Sequence, residues 1–143
     1  MSNWDARFIA LAKVVASWSK DPRTQVGCVI VRPDKTVASL GFNGLPRRIV
    51  DSPHLLEDRA MKHRLVIHAE ENALLHAREP VAGYTIYTWP VPPCSRCASK
   101  LIQVGIARVV APAVPQVDPD SQMEYELSEK LLRTAGIERV VAA

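Results

Sequence analysis

The chain has 143 residues, 48% of them hydrophobic and 23% charged, with a formal net charge of +3. That length suits one domain, residues 1–143, burying roughly two thirds of its unfolded surface, and such a composition is that of a folded globular protein. A charge of +3 is too small for a nucleic-acid-binding stripe, no apolar run approaches the roughly 18 residues of a membrane span, and nothing in the opening residues reads as a signal peptide.

Residues 3–19 place Trp4, Phe8, Leu11, Ala12, Val15 and Trp18 at helical spacing, an amphipathic helix that Asp21-Pro22 stops. A β-branched run over 25–31 and another over 36–40, with Pro33-Asp34-Lys35 between them, predict a β-hairpin. Gly41-Phe42-Asn43-Gly44-Leu45-Pro46 should break regular structure. Residues 47–65 are less legible. They suggest a helix over 55–64 inside a connection longer than compact domains usually need, and such connections are often functional.

A helix should then carry His68 and Glu70 and run to Pro80, followed by a strand over 84–89. Pro90, Pro92 and Pro93 forbid continuation until Cys94 opens another helix, which ends at Gly105. A short strand over 106–111, a proline-rich loop, a helix over 121–135 capped by Gly136 and a strand over 137–141 complete the chain. This order predicts an α/β protein with a mixed five-stranded sheet and helices on both faces.

The chemistry concentrates in two separated stretches, His68-Ala69-Glu70 and Pro93-Cys94-Ser95-Arg96-Cys97. One imidazole and two thiolates give three ligands of the kind zinc prefers, and leave its fourth tetrahedral position open for water. The remaining cysteine, Cys28, sits in an apolar run and reads as a small buried hydrophobe. With two of three cysteines assigned to metal there is no disulfide framework, and a reducing cytoplasm is the expected compartment. His68 and Cys94 both fall at expected helix N-termini, whose positive field favours thiolate over thiol. Glu70 can stand beside the metal without binding it, which gives an acid–base group next to an activated water. Glu71, by contrast, reads as a solvated helix position.

His-x-Glu followed by Pro-Cys-x-x-Cys is the signature of zinc-dependent base deaminases. These residues, together with Ser19-Lys20-Asp21-Pro22-Arg23-Thr24-Gln25-Val26-Gly27, the loop from Gly41 to Pro46 and His68-Ala69-Glu70-Glu71-Asn72-Ala73, resemble the deoxycytidylate (dCMP) deaminases of the cytidine deaminase-like superfamily. The resemblance implies a three-layer α/β/α fold, Zn2+ as cofactor, a pyrimidine deoxynucleotide substrate and a homo-oligomer between dimer and hexamer, without nucleic-acid or membrane partners. It implies that His68, Cys94 and Cys97 bind zinc, that Glu70 shuttles protons, that Asn43 meets the nucleotide, that the Ala69 N–H meets the pyrimidine carbonyl, and that Asn72 lies near the same pocket. Trp89 is a candidate for stacking on the base, and Arg23, Arg47, Lys62 and Arg64 for holding phosphate. Among the histidines that the metal does not need, His63 stands out because Lys62-His63-Arg64 leads into the catalytic helix.

Departures from the family pattern are the longer path Trp89-Pro90-Val91-Pro92-Pro93, Arg48 in place of a glycine, which speaks against nucleotide-triphosphate control, and Ser99 in place of a lysine. The competing expectations are the same chemistry on free cytosine, guanine or a tRNA adenosine, and a non-catalytic zinc-stabilised binding module.

Overall fold

The structure is a computed structural model describing residues 1–143. Helix α1 (Asn3–Ala16) leads into the hairpin β1 (Gly27–Val31) and β2 (Val37–Phe42). Then come α2 (Pro53–Glu57), α3 (Arg59–Leu65), α4 (Ala69–His76), β3 (Thr85–Trp89), α5 (Ser95–Gln103), β4 (Arg108–Ala111), α6 (Pro119–Thr134) and β5 (Glu138–Val141). The sheet order is β2-β1-β3-β4-β5. β1 is antiparallel to both its neighbours, whereas β3, β4 and β5 run parallel through the crossover helices α5 and α6.

Side chains alternate across the pleat, and the two faces collect different cores. Val29, Val31, Tyr87 and Val110 meet Phe8, Ala12 and Val15 of α1. On the opposite face, Cys28, Ile30, Ile86 and Val109 meet Ala69 and Ala73 of α4, Ala98 and Leu101 of α5, and Leu132 of α6. The result is the three-layer α/β/α arrangement with a mixed five-stranded sheet that the sequence implies. Two glycines set the layer spacing. A Cβ at Gly27 would stand 2.1 Å from the Ala12 carbonyl oxygen, and one at Gly41 would stand 2.3 Å from that of Ala69. Each helix therefore lies backbone-close to its strand.

Several boundaries differ from the sequence reading. The first helix stops at Ala16, where the cap N–H turns back to the last carbonyls. β2 continues through Gly41 and Phe42, because both still pair with β1. The helix expected over 55–64 is two helices broken at Asp58, whose side chain accepts the Met61 N–H at 3.1 Å and caps α3. The metal-bearing helix ends at His76 instead of reaching Pro80.

Asp5 ties the α1 layer to the sheet. Its buried carboxylate accepts two hydrogen bonds from Arg108, at 2.7 and 2.8 Å, and one from the Tyr87 hydroxyl at 2.7 Å. Hydrogen bonding from Arg108 holds this carboxyl well below the usual carboxylate range. Such a group contributes stability above the ordinary carboxylate pKa, and that contribution is lost as pH falls. Asp5→Asn should cost about 3 kcal/mol at neutral pH. In urea titrations the gap between variant and parent should narrow below about pH 4.

Candidate active site

The two halves of the site reach one point by different routes. After β2, Gly44 and Ile67 exchange backbone hydrogen bonds of 3.1 and 2.8 Å, which closes the long connection and delivers His68 as the N-cap of α4. After β3, a proline-rich turn with a cis Trp89–Pro90 peptide delivers Cys94 as the N-cap of α5. The Thr88 hydroxyl fastens that turn by donating to the Val91 carbonyl at 2.8 Å. Cys97 follows in the first turn of α5.

His68 Nδ1 lies 3.3 Å from Cys97 Sγ and 3.5 Å from Cys94 Sγ. The three potential ligand atoms all fall within 4.8 Å of one another. A nitrogen and two sulfurs at this spacing, half-buried to buried and held at two helix N-termini, form a donor set that fits zinc. Cys28 is fully buried in the core and outside this group. The sulfurs are electrostatically coupled: sharing of the Cys97 proton draws the Cys94 thiol down to about 4 and pushes Cys97 up. Hydrogen bonding to Cys94 raises His68. Glu70 is 4% exposed, and burial raises its carboxyl.

These groups open onto a cleft of about 300 Å3, with His68, Ala69, Glu70 and Cys94 on one wall. Helix α3 supplies Arg59, Lys62 and His63 opposite, and α6 supplies Ser121 and Tyr125. Lys62 is buried against Asp21, with Nζ 3.1 Å from Oδ2, and that pair ties α3 to the loop before β1. Burial beside Cys94 and Glu70 pushes the Tyr125 hydroxyl up to about 12.

The residues singled out from sequence divide. Asn43 lines the cleft, yet its amide serves the protein: Oδ1 accepts the Val26 N–H and Nδ2 donates to the Thr24 carbonyl, both at 2.8 Å. Asn72 does not lie near this pocket. It donates to the Phe42 carbonyl at 2.8 Å and lines a second cavity of about 520 Å3, together with Arg47 and His76. Arg47 is thereby also placed away from the cleft, donating to His76 Nε2 at 3.2 Å. Trp89 packs with the α1-side core and under the Lys13 ammonium, because strand alternation turns it to the face opposite the site. Arg23 and Arg64 are exposed and outside the cleft lining.

Sequence reasoning missed Arg59, Ser121 and Tyr125, which carry no local pattern of their own. It also misjudged Glu71, whose carboxylate accepts the His68 N–H at 3.0 Å and the Lys100 ammonium at 2.8 Å. The signal was available, since a glutamate three residues after an N-cap commonly reaches back to it.

Residues 2–113 match the family model described as the cytidine and deoxycytidylate deaminase zinc-binding region. The chain belongs to this deaminase family. Within the family, an "uncharacterized deaminase in luxG 3'region" of Aliivibrio fischeri is 40% identical over 96% of this chain and 92% of its own. The deoxycytidylate deaminase of Homo sapiens is 32% identical over 94% of this chain and 76% of its own. The crystal structure of dCMP deaminase from the cyanophage S-TIM5 superposes with a TM-score of 0.77 over 99% of this chain and 100% of the other, at 20% identity, a likeness of fold. The deaminase family is zinc-binding, and His68, Cys94 and Cys97 are the group here that could hold the ion. Purified protein should carry about one zinc per chain by elemental analysis, and Cys94→Ala or Cys97→Ala should lose it, since two protein ligands do not make a stable site.

Proposed function

We propose that this chain hydrolytically deaminates dCMP to dUMP, releasing ammonia, with residues 1–143 forming one deaminase domain. The observation that carries the reading is Glu70, a buried carboxylate in the same cleft as the His68, Cys94 and Cys97 donors. A structural metal site gives no reason for an acid in that place. Support for the substrate comes from relatives named deoxycytidylate deaminase, at 32–37% identity over 94% of this chain. It also comes from the fold shared with the cyanophage enzyme, solved in complex with dCMP and dUMP, at a TM-score of 0.75.

In this reading His68, Cys94 and Cys97 hold zinc, which when bound lowers the pKa of water to about 7. The Glu70 carboxylate takes the attacking water's proton and delivers it to ring nitrogen N3. It then takes the proton of the hydroxyl added at C4 and carries it to the amino group leaving C4. The C4–N bond breaks, a C4 carbonyl forms, and one water is consumed for each ammonia released. Ala69 opens α4, so its N–H has no acceptor within the helix and is available to the pyrimidine carbonyl. Asn43 lines the cleft and braces the loop before β1. Lys62 is committed to Asp21, which leaves the Arg59 guanidinium as a cation of the cleft without an ion-pair partner, with the His63 imidazole beside it as a further hydrogen-bonding group. They stand four residues apart on one face of α3 and suit the 5'-phosphate. The homo-oligomer and the reducing cytoplasm belong to the same reading. The thiols support the compartment, because they must stay reduced to bind metal.

Ammonia release from a panel of cytosine, deoxycytidine, CMP, dCMP, dCTP and guanine tests the substrate, and preference for dCMP is the expected result. Glu70→Gln should keep its zinc while turnover falls by at least roughly 10²–10⁴-fold. Near-normal turnover would remove the mechanism, and zinc loss would make Glu70 a ligand. Arg59→Ala should raise KM for dCMP by about tenfold or more and leave kinetics on deoxycytidine nearly unchanged, as expected of a charge-assisted phosphate contact. An equal effect on both substrates would refute the phosphate assignment.

A further inference from the structure

The metal-site helices are joined by a second, peripheral contact. Glu71 follows His68 by three residues on α4, and Lys100 follows Cys97 by three on α5, so each stands one turn beyond a ligand on its own helix. One oxygen of the Glu71 carboxylate accepts the His68 backbone N–H at 3.0 Å. The other accepts the Lys100 ammonium at 2.8 Å. A single carboxylate thus fixes the backbone of one ligand and reaches across to the helix that bears the other two. Both helices contribute to the same core, through Ala69 and Ala73 and through Ala98 and Leu101, but α4 packs chiefly on β2 and α5 on α6.

We propose that the Glu71–Lys100 bridge holds the two halves of the metal site in register and controls how long the site retains zinc. This rests on the reading of His68, Cys94 and Cys97 as the zinc ligands. Release requires one ligand to leave the other two, and the cheapest separation is between α4 and α5, since Cys94 and Cys97 share one helix turn. A tie between α4 and α5 resists that motion and leaves the ligands themselves unchanged. Glu71 and Lys100 are therefore positioning residues. Their side chains are 19% and 43% exposed, so the tie is partly screened by solvent and should weaken with salt.

The test is zinc release from the holoprotein into excess chelator, followed with a zinc-sensitive dye. Glu71→Gln keeps an oxygen to cap His68 but loses the charge, and Lys100→Met keeps the aliphatic stem. Each should speed release roughly two- to fivefold, the range of a partly exposed ion pair. The double variant should be no faster than either single, because both remove one interaction. Raising salt should speed release from the parent and scarcely affect the variants, while Lys100→Arg should restore slow release. Thermal midpoints measured in chelator should stay with the parent's. Faster release matched by an equal loss of stability in chelator would make the pair a general fold contact and overturn the proposal. Parental release rates in the variants, or additive single effects, would overturn the bridge and leave the ligand assignment standing. A parent that binds no zinc would overturn both.

Discussion

Helix α4 lies with its backbone against β2, and everything at the site depends on that depth. The contact exists because residue 41 has no side chain: a Cβ there would press on the Ala69 carbonyl and the Ala73 amide at 2.3 and 2.4 Å. Ala69 and Ala73 are themselves small and fully buried, so nothing holds the helix backbone off the strand at this point. His68 is the residue immediately before this contact and Glu70 the one after its first helical position. An outward shift of the helix would lift both from Cys94 and Cys97, which α5 fixes from the neighbouring crossover. Geometry sets the metal donors and the acid together, through one glycine.

How much of this was legible in the sequence depended on whether the signal was local. His68-Ala69-Glu70 and Cys94 with Cys97 announced themselves, because ligand type and spacing within a helical turn are properties of short stretches. Strand and helix order followed from hydrophobic periodicity, proline and glycine. The substrate wall was harder to read. Arg59, Ser121 and Tyr125 come from two helices far apart in the chain, and they meet in the cleft only through tertiary packing. Asn72 was misplaced for a related reason. Being one turn after His68 puts it on α4, but the neighbouring Phe42 carbonyl draws its amide to the other cavity. Trp89 could have been placed from the sequence by counting the pleat, since Tyr87 two residues earlier belongs to the α1-side core.

The loop before β1 and helix α3 show how a surface segment becomes a precise wall. Asp21 caps its own turn through the Arg23 and Thr24 amides and also receives Lys62. Asn43 then clamps Thr24 and Val26 from the end of β2. No buried side-chain polar atom in this set lacks a partner, so a charged pair lies buried beside the cleft without an unsatisfied group. The cost of desolvating that pair is set against a fixed pocket edge, and Arg59 next to it lines the cleft without an ion-pair partner.

The strand order also decides when the chain first becomes able to take up metal. β3 follows His68 in sequence and comes just before Cys94, yet it inserts between β1 and β4. Its place beside β1 sets α4, which packs on β2 and β1, next to α5, and so brings the imidazole and the sulfurs together. A complete donor set therefore exists only once the middle of the sheet is assembled, so metal uptake at all three ligands is a property of the folded sheet and not of either short motif.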